Sequence, residues 1–176
     1  MLKYVETLVT FSEFPDEISL CINISNCPNA CVNCHSSYLK EDIGTIIDYK
    51  ELDKLIQKNH GITCIGFMGG DRDPSEINKL AKYIKDNYNL KIGWYSGSET
   101  LSNKIDVRLL NFIKIGSYIE KYGPLNKCTT NQRMYENIDG NLEPMIPTHV
   151  YAEGSFDAIF MPGDSDNIAW KRSIES

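Results

Sequence analysis

The stretch Ile18-Ser19-Leu20-Cys21-Ile22-Asn23-Ile24 alternates apolar residues with small or polar ones, the period-two pattern of a strand. Ser25-Asn26-Cys27-Pro28-Asn29-Ala30-Cys31-Val32-Asn33-Cys34 follows without a break, and Asn26 and Pro28 mark the start of a loop. Three thiols spaced C-x3-C-x2-C are therefore expected just beyond the carboxyl end of a strand. The same order recurs downstream. Residues 62–68 are mostly apolar, predict a strand buried on both faces, and end in Gly69-Gly70-Asp71. Residues 90–95 predict a third strand closed by Ser96-Gly97, and residues 112–115 a fourth closed by Gly116.

Helices fill the gaps. Asp48-Tyr49-Lys50-Glu51 reads as a capping box leading into Leu52, Leu55 and Ile56 on one face, with a stop near Gly61. Asp73 reads as the next N-cap, with Pro74 at the first helical position and Glu76 completing a box. Ile77, Leu80, Ala81, Ile84 and Tyr88 carry that helix onward. Strands alternating with helices predict βαβ units and a mainly parallel sheet, an α/β fold. Ligands of such sheets collect at the carboxyl ends of the strands. The cysteine loop, Gly69-Gly70-Asp71, Ser96-Gly97 and Gly116 are thus expected to converge on one edge.

Beyond about residue 137 the character changes. Residues 137–140 and 144–147 read as turns, residues 158–161 are the one strong apolar run, and the end is polar. No internal repeat or low-complexity tract is present in the sequence.

A chain of 176 residues fits one domain, and one of this size buries roughly 70% of its unfolded surface without disulfide staples. With 41% hydrophobic and 24% charged residues, the composition excludes a disordered tail, a collagen-like rod and a membrane bundle. A net charge of −6 argues against tracking nucleic-acid phosphates but leaves room for a small phosphorylated or nucleoside ligand. The apolar runs are too short for a bilayer, and the opening MLKYVETLVTFSEFPDE lacks a signal-peptide pattern. The expectation is a cytoplasmic protein without nucleic-acid or membrane partners.

The six cysteines stand at 21, 27, 31, 34, 64 and 128, three of them clustered, which is not the spread of a disulfide framework. Clustered thiols in a reducing compartment point to metal or redox chemistry, and thiolates suit both zinc and iron–sulfur clusters. With His35 the donor set is Cys3His, fit for zinc; without it, three thiolates leave one iron of a 4Fe–4S cube open. Spacing alone leaves both possible, beside the plainer reading of buried, inert thiols. Gly69-Gly70 is either a simple turn or a site of close backbone approach; it is no Walker loop, since no Gly-Lys-Ser/Thr follows. Cys21 and Cys64 read as core, Cys128 as a loop cysteine, and His60 and His149 as structural. Arg133 suits a loop salt bridge or a partner contact equally. Trp170 with Ile168 would dock the tail or meet a partner. Asp164, Asp166 and Glu175 imitate a calcium loop, but Ala169 stands where its glycine belongs.

These residues also match a family. The chain resembles the radical S-adenosylmethionine (SAM) enzymes, whose hallmark is C-x3-C-x2-C after the first strand of an incomplete (β/α) barrel. Met68-Gly69-Gly70-Asp71 is similar to that family's Gly-Gly-Glu/Asp motif for the methionyl amine of SAM, and Cys34-His35 follows the pattern of glycyl-radical activating enzymes. Residues 114–125 and Thr129-Thr130-Asn131-Gln132-Arg133-Met134-Tyr135 are similar to the activating component of anaerobic ribonucleotide reductase. The likeness covers residues 1–137, the expected radical SAM domain; residues 138–176 form a segment of unassigned role, expected to pack on it. Two departures stand out: Asn33 replaces the aromatic residue many members carry before the last cysteine, and Arg72-Asp73-Pro74 lengthens the Gly-Gly-Asp turn.

The resemblance implies a partial (β/α) barrel open on one side, so that a loop of another protein can enter. It implies a 4Fe–4S cluster on Cys27, Cys31 and Cys34, with SAM on the fourth iron and Asn33, Cys34, His35, Gly69, Gly70 and Asp71 lining its site. The implied reaction is formation of a 5′-deoxyadenosyl radical that installs a glycyl radical on anaerobic ribonucleoside-triphosphate reductase. A flavodoxin or ferredoxin would supply the electron, and no acid–base pair is called for. The alternatives are an activase of another glycyl-radical enzyme, another radical SAM enzyme, or a zinc-binding Cys3His adaptor.

Overall fold

The computed structural model describes residues 1–147, apart from Ala30, His35, Pro124, Asn126 and Cys128, together with the strand at residues 170–172. The expectations placed on His35, Cys128, His149, residues 158–161, Asp164, Asp166, Ile168, Ala169, Glu175 and the side chain of Trp170 lie outside the described residues.

In chain order the elements are β1 (Lys3–Thr10), β2 (Ser19–Ile24), β3 (Thr45–Ile46), α1 (Tyr49–Lys58), β4 (Cys64–Met68), α2 (Pro74–Asn87), β5 (Lys91–Tyr95), β6 (Phe112–Ile115), β7 (Arg133–Ile138), β8 (Asn141–Pro147) and β9 (Trp170–Arg172). They form one open sheet in the order β3-β1-β2-β4-β5-β6-β7-β8-β9. The protein is α/β, with two α-helices among the described residues.

Only the central block β2-β4-β5-β6 is parallel. Every flanking pair is antiparallel, so the expected mainly parallel sheet is in fact mixed. The crossover from β5 to β6 carries a single 3-10 turn, Val107–Leu109, in place of an α-helix. Residues 144–147, read as a turn, are the end of β8. Pro144 falls one residue outside the β8–β9 pairing, which begins at Met145, so its missing N–H removes no bond on that side. Of the turn expected at residues 137–140, Asp139 and Gly140 join β7 to β8, while Asn137 and Ile138 are the end of β7.

The helix starts follow the sequence. The Asp48 carboxylate accepts from the Glu51 N–H at 2.8 Å, and Asp73 from the Glu76 N–H at 3.3 Å. Each satisfies an N–H that lacks a partner in the first turn. The reciprocal half of the first box is diverted: the Glu51 carboxylate accepts from Tyr4 Oη at 2.9 Å and Lys54 Nζ at 2.7 Å. Among the described residues no helix is long and apolar enough to cross a membrane.

Alternation divides the central block into two faces. Leu20, Ile22, Ile24, Ile65, Phe67, Ile92, Trp94 and Ile113 pack under the apolar stripes of α1 and α2. The opposite face is set out in register rows: Ser19-Cys64-Lys91, then Cys21-Gly66-Gly93-Phe112, then Asn23-Met68-Tyr95-Lys114 nearest the carboxyl ends. Phe14, from the loop between β1 and β2, fills the middle row and is 1% exposed. Its ring stacks on Phe112 and meets Tyr95 edge-on, both at 5.3 Å. A Cβ on Gly93 would lie 2.2 Å from that ring, and one on Gly66 2.6 Å. The ring fits because both neighbours are glycine. Cys21 and Cys64 are buried on this face as expected, and burial pushes the Cys21 thiol up to about 12 and the Cys64 thiol up as well.

Gly93→Ala is expected to destabilise the protein by about 1–3 kcal/mol through overpacking against Phe14. Chemical denaturation should give a smaller loss in the Phe14→Leu background, where the ring that the new methyl strikes is gone.

Candidate functional site

The loop after β2 is tied at its base before it carries any thiol outward. The Asn26 N–H donates to Glu41 O at 3.0 Å and the Cys27 N–H to Leu39 O at 2.9 Å, so both ends of the excursion meet. Ser25 Oγ fastens the same base to Ile43 O at 2.6 Å. Cys27, Cys31 and Cys34 are half-buried along it. Lys40 Nζ reaches Cys31 O at 3.4 Å.

The turn after β4 supplies the partner of that loop. Gly69 and Gly70 both adopt left-handed backbone, φ 107° and 95°, which only glycine enters without strain. A Cβ on Gly70 would also strike Ile77 at 2.7 Å. The turn aims Asp71 at two other loops at once. Its carboxylate accepts from Asn29 Nδ2 at 2.8 Å in the cysteine loop. From the turn after β5 it accepts Ser96 Oγ at 2.5 Å and the Gly97 N–H at 2.9 Å. Arg72 Nε adds a bond to Asn26 O at 3.2 Å.

The loop after β6 joins by other bonds. The Gly116 N–H donates to Ser98 O at 2.7 Å. Glu99 accepts from the Ser117 N–H at 3.0 Å and from the Ser117 hydroxyl. These donors hold the Glu99 carboxyl below its ordinary value, the Ser117 hydroxyl most of all. Asn131 Nδ2 reaches Ser117 O at 3.0 Å. All four strand-end segments thus meet through hydrogen bonds along one edge of the parallel block.

Lys114 lies at the base of this edge, 8% exposed. Its Nζ donates to Gly116 O at 2.8 Å and lies 5.7 Å from the Tyr95 ring centre. Burial lowers its pKa to about 8, against the pull of Asp71, Cys31, Glu99 and Glu13. At neutral pH it remains mostly a cation, the buried positive charge facing the acidic groups. The Cys27 thiol is pushed up chiefly by burial; the Asn29 amide and side chain oppose this, while Asp71 and Cys31 add to it.

The expected site residues are therefore distributed unevenly. Cys27, Gly69, Gly70 and Asp71 are brought together, and Cys31 lies within electrostatic reach of Cys27 and Lys114. Asn33, expected beside the cofactor, is exposed, with φ 56°, and donates to Glu120 at 2.5 Å. Cys34 shares the loop; His35 lies outside the described residues. Among the described residues no group of three or more Cys, His, Asp or Glu side chains stands ready-made to hold a metal. Arg133 opens strand β7 and is exposed, not placed in a loop as expected. Sequence reading missed Asn29 and Lys114. Asn29 gave no signal beyond loop composition, but Lys114, two residues from Phe112 in an apolar strand, shared an inward face by simple alternation.

Lys114→Met is expected to stabilise the chain by about 1–3 kcal/mol at pH 7, less the bond to Gly116. The sign follows from a buried base with a depressed pKa: the cost of its charge is present below about pH 8 and disappears as pH rises toward the ordinary lysine value of 10.5. Urea denaturation of both proteins at pH 7 and pH 10 should therefore show the gap narrowing; a constant gap would contradict this account.

Compared with protein families, with curated proteins and with solved structures, the chain matches none, so the functional reading rests on the site itself.

Proposed function

We propose that this chain is a radical SAM activating enzyme for anaerobic ribonucleoside-triphosphate reductase, with its open sheet serving as a partial (β/α) barrel. The observation that carries the reading is the Asp71 carboxylate, which binds the C-x3-C-x2-C loop, the Gly-Gly turn and the turn after β5 into one edge. A zinc clip held by four protein ligands has no use for such a carboxylate beside its loop.

The donor set fits. Three thiols on one tethered loop match a cluster ligated by cysteine through three of its irons. A carboxylate with one acceptor position left and a buried ammonium complement the amine and carboxylate of an amino acid, which is what the methionyl end of SAM presents. When bound, a 4Fe–4S cluster and SAM supply a 5′-deoxyadenosyl radical, the species that would leave a glycyl radical on the reductase.

The residues have these roles on this reading. Cys27, Cys31 and Cys34 hold the cluster. Gly69 and Gly70 let the backbone approach the methionyl end, and Asp71 orients its ammonium. Lys114 supplies positive charge beneath the site. Asn33, Cys34 and His35 stand on the nucleoside side. On the side of the sheet opposite the helices Phe14 fills the middle row, and the loops at the carboxyl edge beyond it are the proposed meeting place with a segment of a partner protein. A flavodoxin or ferredoxin is the proposed electron donor, and the cytoplasm the proposed location.

Reconstitution with iron and sulfide under anaerobic conditions should give a reduced-cluster paramagnetic resonance signal that changes on adding SAM, with 5′-deoxyadenosine formed. Cys27→Ala, Cys31→Ala and Cys34→Ala should each abolish both. Incubation with candidate glycyl-radical proteins then identifies the partner by its radical signal. Tightly bound zinc, no cluster signal and no SAM cleavage would overturn the reading in favour of the Cys3His adaptor.

A further inference from the structure

We infer that Asn29 is a positioning residue that sets the thiol-bearing loop for metal capture by clamping it between Asp71 and Gly97. The inference deepens the proposed function and rests on it only in taking the three thiols as metal ligands.

Asn29 stands between the first two cysteines, and its side chain is gripped from two sides. Its Nδ2 donates to Asp71 Oδ2 at 2.8 Å. It also lies flat against Gly97, where an added Cβ would meet Nδ2 at 2.5 Å, Cγ at 3.2 Å and Cβ at 3.6 Å. The loops after β4 and β5 thus form the two jaws. Gly97 leaves space that this amide occupies, and its N–H shares the same carboxylate oxygen.

The other tethers of the cysteine loop differ in kind. The bonds at Asn26, Cys27 and Lys40 close the excursion on itself without orienting it toward the sheet edge. Arg72–Asn26 and Asn33–Glu120 do cross to other loops, but both are exposed, where water competes for each group. The Asn29–Asp71 bond is part-buried and ends on a carboxylate, the setting in which a hydrogen bond is strongest. Its loss would leave Asp71 one donor short while it acts electrostatically on Cys27. Outer partners of this kind govern metal affinity because they fix where the ligands stand when the metal arrives.

The test uses the reduced, metal-free full chain titrated with cobalt(II), read by thiolate-to-cobalt absorption. Asn29→Leu keeps the branched heavy-atom shape of the side chain and removes the donor; it should weaken cobalt binding about 10–100-fold, with a circular dichroism spectrum that shows the same folded chain. Gly97→Ala should weaken it comparably by displacing the amide. The same Gly97→Ala change should add little in the Asn29→Ala background, where nothing remains to displace.

Undiminished cobalt affinity in Asn29→Leu, or fully additive effects of the two alanines, would overturn the inference. So would a wild-type chain whose thiols bind no cobalt. A wild-type chain that binds cobalt through the thiols but forms no SAM-responsive cluster would sink the activase reading and leave the role of Asn29 standing.

Discussion

A half-buried carboxylate needs hydrogen-bond donors, and Asp71 draws its donors from two loops besides its own. That demand organises the functional edge. Each strand of the parallel block ends where it would be free to send its loop in any direction. Three of those loops are instead committed to one pair of oxygens. Asp71 can serve all of them because Gly69 and Gly70 turn the chain back through left-handed backbone, and because Gly70 leaves Ile77 its place beneath. The glycines and the carboxylate are one device: either without the other would leave a strained turn or an undirected charge.

Below this edge the sheet treats its faces differently. The helix side is an uninterrupted apolar core, and it supplies the hydrophobic stabilisation. The other side carries a smaller apolar cluster, Phe14 with Phe112, Met134 and Met145. The row nearest the loops, Asn23-Met68-Tyr95-Lys114, mixes polar with apolar side chains and sets Lys114 beside Met134 of β7. A buried ammonium there is costly, and the negative groups around it recover only part of the cost, which is why its pKa is lowered in spite of them. Such a charge adds nothing to folding that an apolar side chain would not supply more cheaply. Its position under the thiols and Asp71 is where an anionic group would be drawn.

The parallel block was legible in the sequence because β4 is a mostly apolar run and β2 an alternation that ends at the cysteine loop, and the helices because their caps are spelled out locally. The antiparallel flanks were not. In strand β1 the half-buried residues Lys3 to Val5 run together, Leu8 and Val9 are exposed side by side, and the register is irregular between Tyr4 and Glu6, so neither period is clean. Strand β8 contains Pro144 and Pro147, which argue for a turn unless the pairing register is known. At the site, the strand-end glycines and cysteines could be read because their signal lies in spacing. Asn29 could not, since its role is created by Gly97 and Asp71, some seventy and forty residues away, meeting it in space. The bond from Asn33 to Glu120 was equally out of reach, since nothing in its place before Cys34 points to a residue near position 120.

The division of labour between core and edge has a further consequence. The loops are held by single hydrogen bonds, each contributing on the order of 1–3 kcal/mol when it ends on a charge, whereas the sheet beneath is held by packing. Rearranging the edge therefore requires breaking a few polar contacts and leaves the core intact, so the loops belong to the low-energy end of local opening. A metal bound by three thiols on such a loop would contribute its binding energy directly to loop order. On the proposed reading the sheet provides a fixed platform, the Asp71 network a loosely set frame, and the cluster the final constraint. The site is then completed by what it binds, and the few polar tethers already present decide how much of that binding energy is spent on ordering the loop.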